Sequence, residues 1–515
     1  MATLELPAIY NAATSFIDEN IARGHGRRIA IYYQDQRFTY QELFEKVNRT
    51  GNALKELGVE IEHRVLLIMP DSPEFAFSFF GAIKIGAVPI PTNPWMTAKE
   101  YEYLINDSRA RAVVAHESVM PELGKSGAHS RYLKHLIVVG KPQRRALDYE
   151  TIVARASDKL EAEPTTKDDV CFWAYTSGST GPPKGAVHLQ HDMITITDLF
   201  AKPVLGMNED DLCFSASKLF FSYGLGNSLY FPFRFAAATV LWPERPDPEK
   251  ILQVIDRYRP TFFFSVPTLY ARLLRVEKKY DLSSLRICLS SGEPLPPALF
   301  HQWKDRFGLE LLDVVGSTEA THDFLANVPG RAKPGSSGEV TPAFEAKIVD
   351  DQGRESPIGE VGNLMVKGGA TSPYYWNKHE QSQRMMQGEW LKTGDTYYRD
   401  ADGYYWYCGR SDDMLKVGGL WVSPIEIENS LMEHAAVLEA AVIGQEDADG
   451  LLKPKAYVLL KSEFQPSDSL RADLQAHVKN ALAPYKYPRW VEFVADLPKT
   501  VTGKIQRFRL RSNKT

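Results

Sequence analysis

Between about Arg64 and Val340 the chain repeatedly alternates short apolar runs with amphipathic stretches. That rhythm belongs to parallel strands joined by crossover helices, because a parallel neighbour can be reached only through a connection of a dozen or more residues. Arg64-Val-Leu-Leu-Ile-Met-Pro70, followed by residues 71–87, is one such unit, with Asp71 or Ser72 available to cap the helix. Residues 250–260 and the run Thr261-Phe-Phe-Phe-Ser-Val-Pro267 form another. Here Ile251, Val254, Ile255 and Tyr258 fall at i, i+3, i+4 and i+7, which predicts one apolar face against a sheet. Residues 286–296 and 309–319 repeat the pattern, each an apolar strand running into a polar, glycine-bearing loop. In open α/β sheets ligands gather beyond the carboxyl ends of the strands, so these loops are where chemistry is expected.

From about Thr341 the texture changes to short alternating segments with turns, such as 344–355 and 362–369, which predicts a small antiparallel β unit. A second change comes at Gly409. Beyond it lie new strands near 436–444 and 455–461, and a helix with Leu470, Leu474, Val478 and Leu482 on one face. The predicted architecture is therefore α/β. Residues 1–409 form a large N-terminal domain of parallel-rich αβ subdomains plus the β unit, and residues 410–515 a small mobile α+β C-terminal domain. No internal repeat or low-complexity segment interrupts this plan.

Composition narrows the function classes. Sixty Lys and Arg against 65 Asp and Glu leave a net charge of −5 over 515 residues, without a long block of one sign, which argues against nucleic-acid or membrane-surface binding. The four cysteines, Cys171, Cys213, Cys288 and Cys408, match no zinc spacing and read as reduced core thiols. The N-terminus has acidic residues early and no basic segment before an apolar core, and runs such as 65–69 are far too short to cross a membrane. A cytoplasmic protein without a signal segment is expected.

The stretch Tyr175-Thr-Ser-Gly-Ser-Thr-Gly-Pro-Pro-Lys-Gly185 crowds glycines and hydroxyls around one lysine. A nucleotide-hydrolase loop of the G-x-x-x-x-G-K-[ST] kind would need glycine and a hydroxyl on either side of that lysine. Pro183 and Gly185 stand there instead. What remains is a strand followed by a loop of backbone N–H groups and hydroxyls able to wrap phosphates and release them as pyrophosphate.

Further stretches follow in order: Val315-Gly-Ser-Thr-Glu319, Trp390-Leu-Lys-Thr-Gly-Asp395, Gly409-Arg-Ser-Asp-Asp413 and Leu497-Pro-Lys-Thr-Val-Thr-Gly-Lys504. Together with the phosphate loop they resemble, over nearly the whole chain, the motifs of the adenylate-forming superfamily, which includes acyl-CoA synthetases, carrier-loading adenylation domains and luciferases. Within it the chain looks most like bacterial benzoate-CoA ligases.

The resemblance implies a reaction in which a carboxylate attacks the α-phosphorus of ATP, giving an acyl-adenylate and pyrophosphate, before coenzyme A takes the acyl group. It implies that Thr176, Ser177, Gly178, Ser179, Thr180 and Lys184 contact the phosphates and that Thr318 and Glu319 organise Mg2+. Gly292, Glu293 and Pro294, with Asp313 close by, would line the adenine slot, and Asp395 and Arg410 would hold the ribose. Lys504 would be the adenylation lysine, a compact charge bridging the carboxylate and the α-phosphate. Asp412 would be the hinge about which the small domain turns, withdrawing Lys504 and presenting Lys416, Gly418 and Gly419 to the pantetheine arm.

The acyl pocket, by the same resemblance, lies between the Gly316 segment and Lys218-Leu-Phe-Phe-Ser-Tyr-Gly-Leu-Gly-Asn227. Phe221, Ser222, Tyr223 and Gly224 would line a flat slot for an aromatic carboxylate. His322 and Asp323 would also line the pocket, and Asp323 departs from the family pattern, since its position there is typically an aliphatic residue beside a histidine. A buried carboxylate needs a partner. Two explanations stay open: Asp323 accepts a hydrogen bond from a ring hydroxyl or amino group, or it pairs with His322 or another structural donor. The expected protein is a ligase for benzoate or a hydroxy- or amino-substituted benzoate, monomeric or homodimeric. The alternatives are a stand-alone enzyme loading a carrier protein and, from another class, a non-catalytic nucleotide sensor.

Overall fold

The computed structural model describes residues 2–126, 130–142, 146–176, 182–411, 413–417, 420–447, 451–483, 485–499 and 505–512. The first apolar runs pair as a parallel five-stranded sheet in the order Val88–Thr92, Arg64–Ile68, Ala112–His116, His135–Val139, Leu147–Asp148. Residues 65–68 are fully buried, as expected for a parallel strand covered on both faces. Helix Pro73–Lys84 begins after Ser72, whose hydroxyl accepts the Phe75 N–H at 3.4 Å, with proline in the first turn where its missing donor is harmless. Ser72, then, is the cap. Asp71 instead crosses the molecule, accepting the Leu219 N–H at 2.9 Å and lying 3.6 Å from the buried Lys218 ammonium.

A second sheet of nine strands carries the loops of interest. Its middle runs parallel through Leu311–Gly316, Ile287–Ser290, Phe262–Ser265, Leu212–Ser215, Ala238–Leu241 and Ile29–Tyr33. Antiparallel strands finish both edges, Gln36–Thr39 on one side and Asp323–Ala326 with Glu339–Val340 on the other. Ile29–Tyr33 precedes the region where the sequence rhythm begins. It pairs locally with Gln36–Thr39, and long-range pairing with Ala238–Leu241 brings both into the sheet. Helix Pro248–Tyr258 buries Ile251, Leu252, Val254 and Ile255, while Tyr258 stays half-buried at its end.

The predicted β unit is an antiparallel sheet of Phe344–Val349, Gly362–Gly368, Trp390–Arg399, Met386–Gln387 and Tyr405–Arg410. After it, Val437–Glu446, Leu452–Leu460 and Trp490–Phe493 form a three-stranded sheet. Helices Pro424–Glu433 and Asp468–Ala481 accompany it, the latter burying Leu474 and Val478. Arg507 closes this unit on the buried Glu428 carboxylate with bonds of 2.7 and 2.9 Å. All four cysteines are buried and free, and burial pushes the thiols of Cys288 and Cys408 up to about 12. No described helix is long and apolar enough to cross a membrane.

Candidate active site

The glycine-rich loop joins the two strands of a hairpin, Val170–Thr176 and Lys184–Leu189, with Thr176 opposite Lys184. Its base is tied down from outside: the Tyr175 hydroxyl donates to Asp107 at 2.7 Å and the Tyr103 hydroxyl to the Pro183 carbonyl at 2.9 Å. Segment 372–376 lies along the return strand, with Trp376 N–H on the Gly185 carbonyl at 2.8 Å and Tyr375 bridged to Ala186. The Lys184 ammonium consequently sits 4.6 Å from the centre of the Tyr375 ring.

The same Tyr375 donates its hydroxyl to Glu319 at 2.6 Å, and the Ser372 N–H meets the Glu319 carbonyl at 2.6 Å. Burial, reinforced by the Glu319 charge, holds the Tyr375 phenol far above its usual range, so it remains a donor. Two residues predicted from distant motifs, Lys184 and Glu319, are thus organised by one tyrosine. Thr318 and Glu319 occupy a single helical turn, Thr318–Ala320, and both are partly exposed.

That turn ends abruptly. Thr321 has φ +65° and ψ −48°, and the His322 N–H bonds back to the Ala320 carbonyl at 2.6 Å. This is a γ-turn of the rare positive-φ kind, centred on a β-branched residue, and holding it costs on the order of 1–3 kcal/mol. The chain then re-enters the sheet antiparallel to the strand it just left. Gly316 permits the doubling back, because a Cβ there would stand 2.3 Å from the His322 carbonyl oxygen.

On the far side of the turn the side chains are buried. His322 lies among Phe231, Tyr223, Tyr230 and Phe200, at centroid distances of 4.5, 5.4, 6.2 and 6.3 Å. Its Nε2–H donates to the Tyr223 carbonyl at 3.3 Å. The ring presses on the helical backbone of residues 222–230, where a Cβ on Gly226 would come within 2.4 Å of it. Gly224 is equally constrained, 2.2 Å from the Lys218 carbonyl by the same measure. Phe221 packs on Phe220 at 4.4 Å.

Asp323 bears on both open explanations. Its Oδ2 is 2.9 Å from His322 Nδ1, and Ser291 donates to Oδ1 at 3.4 Å. Yet the histidine contact joins sequence neighbours at an angle that makes no hydrogen bond. Around it the hydroxyls of Ser222, Tyr223, Ser265 and Ser290, the Asn227 amide and Asp313 Oδ1 are buried without a hydrogen-bond partner among the described residues. Ser265, Ser290 and Asp313 are successive neighbours across three strands. Left unsatisfied, each such group would cost about 1–3 kcal/mol, and water or a polar ligand would satisfy them. Burial, with Asp323 adding to it, pushes the Asp313 carboxyl well above the usual carboxylate range.

Asp395 lies opposite Arg410 across two strands of the β unit, with a 3.0 Å ion pair. Gly292 turns the chain at φ +86° after Ile287–Ser290, and Pro294 is exposed just beyond. Between them the Glu293 carboxylate takes the Thr268 hydroxyl at 2.7 Å at the start of helix Pro267–Leu273. Lys416 falls in strand Leu415–Val417, although its side chain is outside what is described. Ser177, Gly178, Ser179, Thr180, Asp412, Gly418, Gly419 and Lys504 lie outside the described residues.

Sequence reasoning missed three contributors. Tyr375 sits in a stretch, Ser372-Pro-Tyr-Tyr-Trp376, that resembles the benzoate ligases but carries no chemistry by itself. Asn227 closes the quoted pocket segment unremarked. The Asp71–Lys218 pair, which ties that segment to the first sheet, has no local signal.

A chain built this way belongs to the AMP-binding enzyme family: the family model for the AMP-binding enzyme matches residues 18–376, and that for the AMP-binding enzyme C-terminal domain matches 426–504. More particularly, it is 46% identical over 515 residues to the benzoate-CoA ligase of Thauera aromatica, covering 99% of this chain and 97% of that one. It is 43% identical to a 4-hydroxybenzoate-CoA/benzoate-CoA ligase of Rhodopseudomonas palustris, covering 98% and 94%. Among solved structures, the anthranilate CoA ligase AuaEII in complex with anthranoyl-AMP superposes with a TM-score of 0.94 at 42% identity, covering 98% of each chain.

Proposed function

We propose that this protein is an ATP-dependent aryl acid–CoA ligase forming AMP and pyrophosphate through an acyl-adenylate. What carries the reading is one turn: Glu319, bound to the tyrosine that also faces Lys184, stands on one side, and the buried His322–Asp323 pair stands on the other. Nucleotide and acid would meet across it. The relatives support the same chemistry, since those named above are ligases that join benzoate, 4-hydroxybenzoate or anthranilate to CoA.

In the first half-reaction a substrate carboxylate oxygen bonds to the α-phosphorus and the bond to the β-phosphate oxygen breaks, releasing pyrophosphate. Lys184 and the hydroxyls from Thr176 to Thr180 hold the departing phosphates, Asp395 with Arg410 the ribose, and Gly292–Pro294 with Asp313 the adenine. Lys504 neutralises the two anions that must approach. In the second half-reaction the CoA thiolate bonds to the acyl carbon and the acyl–phosphate C–O bond breaks, releasing AMP. Between the two, residues 410–515 turn on Asp412 against residues 1–409, and Lys416, Gly418 and Gly419 meet the pantetheine arm.

Magnesium fits only in a limited sense. No group of three or more His, Cys, Asp or Glu among the described residues is arranged to hold a metal ion, while Glu319 presents a hard oxygen donor beside Thr318. That set suits an ion held chiefly by phosphates and water, whose bound charge would offset that of the phosphates.

Asp323 and its unsatisfied neighbours favour an acid whose ring carries a hydrogen-bond donor, a hydroxyl or an amino group. Cytoplasmic location and a monomeric or homodimeric state belong to the proposal. The test is a panel of benzoate, hydroxybenzoates and aminobenzoates scored by ATP-to-AMP conversion with and without CoA. Thioester formation is expected with aryl acids. Adenylate without thioester would favour the carrier-loading enzyme, and no AMP with any acid would favour the sensor.

A further inference from the structure

The γ-turn at Thr321 is an outlier whose cause lies far from it in sequence. Thr321 is buried, and its hydroxyl donates to the Ala370 carbonyl at 2.7 Å. The same oxygen lies 3.0 Å from His188 Nδ1 and 3.4 Å from Asp192 Oδ2. His188 Nδ1 is also 3.1 Å from Asp192 Oδ2, which takes the Leu189 N–H at 3.1 Å. Since the Thr321 hydroxyl proton goes to a carbonyl, its oxygen accepts, and the His188 Nδ1–H is shared between Asp192 and Thr321. Both His188 and Asp192 are fully excluded from solvent, and the imidazole stacks on Phe172 at 4.6 Å.

Every end of this network leads to the site. His188 lies on strand Lys184–Leu189, on the same face as Lys184 by strand alternation. Ala370 runs into Ser372, whose N–H holds the Glu319 carbonyl. Thr321 itself separates Glu319 from His322 and Asp323. Core packing alone would be served by any small apolar side chain in a relaxed conformation. A strained residue held by two polar ties, one given to the Ala370 carbonyl and one taken from His188, which Asp192 orients, indicates that the direction of the chain matters.

We propose that Thr321, held by His188 and Asp192, is a positioning residue: the tie through which the phosphate hairpin sets where Glu319 and the His322–Asp323 pocket floor stand relative to each other. The inference rests on the reaction proposed above. It assigns to His188 and Asp192 a role in catalysis without contact to either substrate.

The experiment compares Thr321→Val, which keeps the shape and loses the hydroxyl, with Thr321→Ser, which keeps the hydroxyl. It also compares His188→Leu with His188→Asn, whose amide can donate from nearly the same place. Valine and leucine are expected to lower kcat for adenylation and raise KM for both ATP and the aromatic acid, with kcat/KM falling roughly 10- to 100-fold, the usual consequence of misplacing reacting groups by about 1 Å. Serine and asparagine are expected to recover most of that loss. Thr321→Val with kcat and both KM values unchanged per folded molecule, or a loss confined to the unfolding temperature, overturns the proposal. If the unaltered protein converts no acid, the reaction itself has been misread. The tie is then judged by calorimetric AMP affinity, expected to weaken about tenfold in Thr321→Val by the same misplacement, and unchanged affinity overturns it.

Discussion

Two carboxylates only four positions apart live in opposite environments. Glu319 is partly exposed, bonded to the Tyr375 hydroxyl and facing the phosphate hairpin. Asp323 is 1% exposed, beside His322 and Ser291, among hydroxyls and an amide that lack partners. The backbone between them makes the difference, because the γ-turn at Thr321 sends one side chain toward solvent and the next strand into the core. An exposed carboxylate can stay charged at little expense and suits a cation and phosphates that come and go. A buried one is tolerated only with partners, and suits recognition of a fixed donor on a substrate ring. Under the proposed reaction, one short segment thereby separates the chemistry common to all acids from the choice among them.

Four substitutions break or sharpen that contrast. Glu319→Gln should lower kcat of AMP formation by roughly 10²–10³-fold for every acid alike, as removal of a preorganised electrostatic group does. A selective effect on one acid would show that the two sides are not separate. Asp323→Ile should reverse the selectivity, reducing hydroxy- or aminobenzoate relative to benzoate by about 5- to 150-fold, the worth of about 1–3 kcal/mol of buried hydrogen bonding. Unchanged relative kcat/KM across the panel would sink the idea that Asp323 reads the ring. Tyr375→Phe removes the donor to Glu319 and should cost about tenfold in kcat, again without altering preference. Ser291→Ala, at a 3.4 Å contact, should shift the acid preference by about two- to fivefold, measured as a ratio of kcat/KM values. If it changes the ATP KM instead, Ser291 belongs to the nucleotide side.

The alternation from Arg64 onward was legible as parallel strands because burial on both faces demands continuous apolar runs, and Arg64–Ile68, Phe262–Ser265 and Ile287–Ser290 follow it. Strand Ile29–Tyr33 was not, since its pairing with Ala238–Leu241 is made across most of the domain. Among functional positions, Lys184, Glu319 and Asp395 stand in motifs whose spacing reflects a loop or strand end, and local spacing is what a sequence displays. Asp71 showed a local alternative, a helix cap, and the fold used Ser72 there while sending Asp71 to Leu219 and Lys218.

By itself the sequence determined the elements that depend on neighbours along the chain: the strands and helices set by apolar period, the turns that only glycine can make, and the ordered motifs proposed to meet phosphate and ribose. Tertiary structure decided what depends on groups brought from afar. Tyr375 joins Lys184 to Glu319, and Asp71 anchors the pocket segment. Thr321 takes a conformation its own neighbours disfavour because the Ala370 carbonyl and His188, 49 and 133 positions away, hold its hydroxyl, with Asp192 orienting the imidazole. A local strain can persist only when distant contacts over-determine it, and such contacts exist only once the chain has folded.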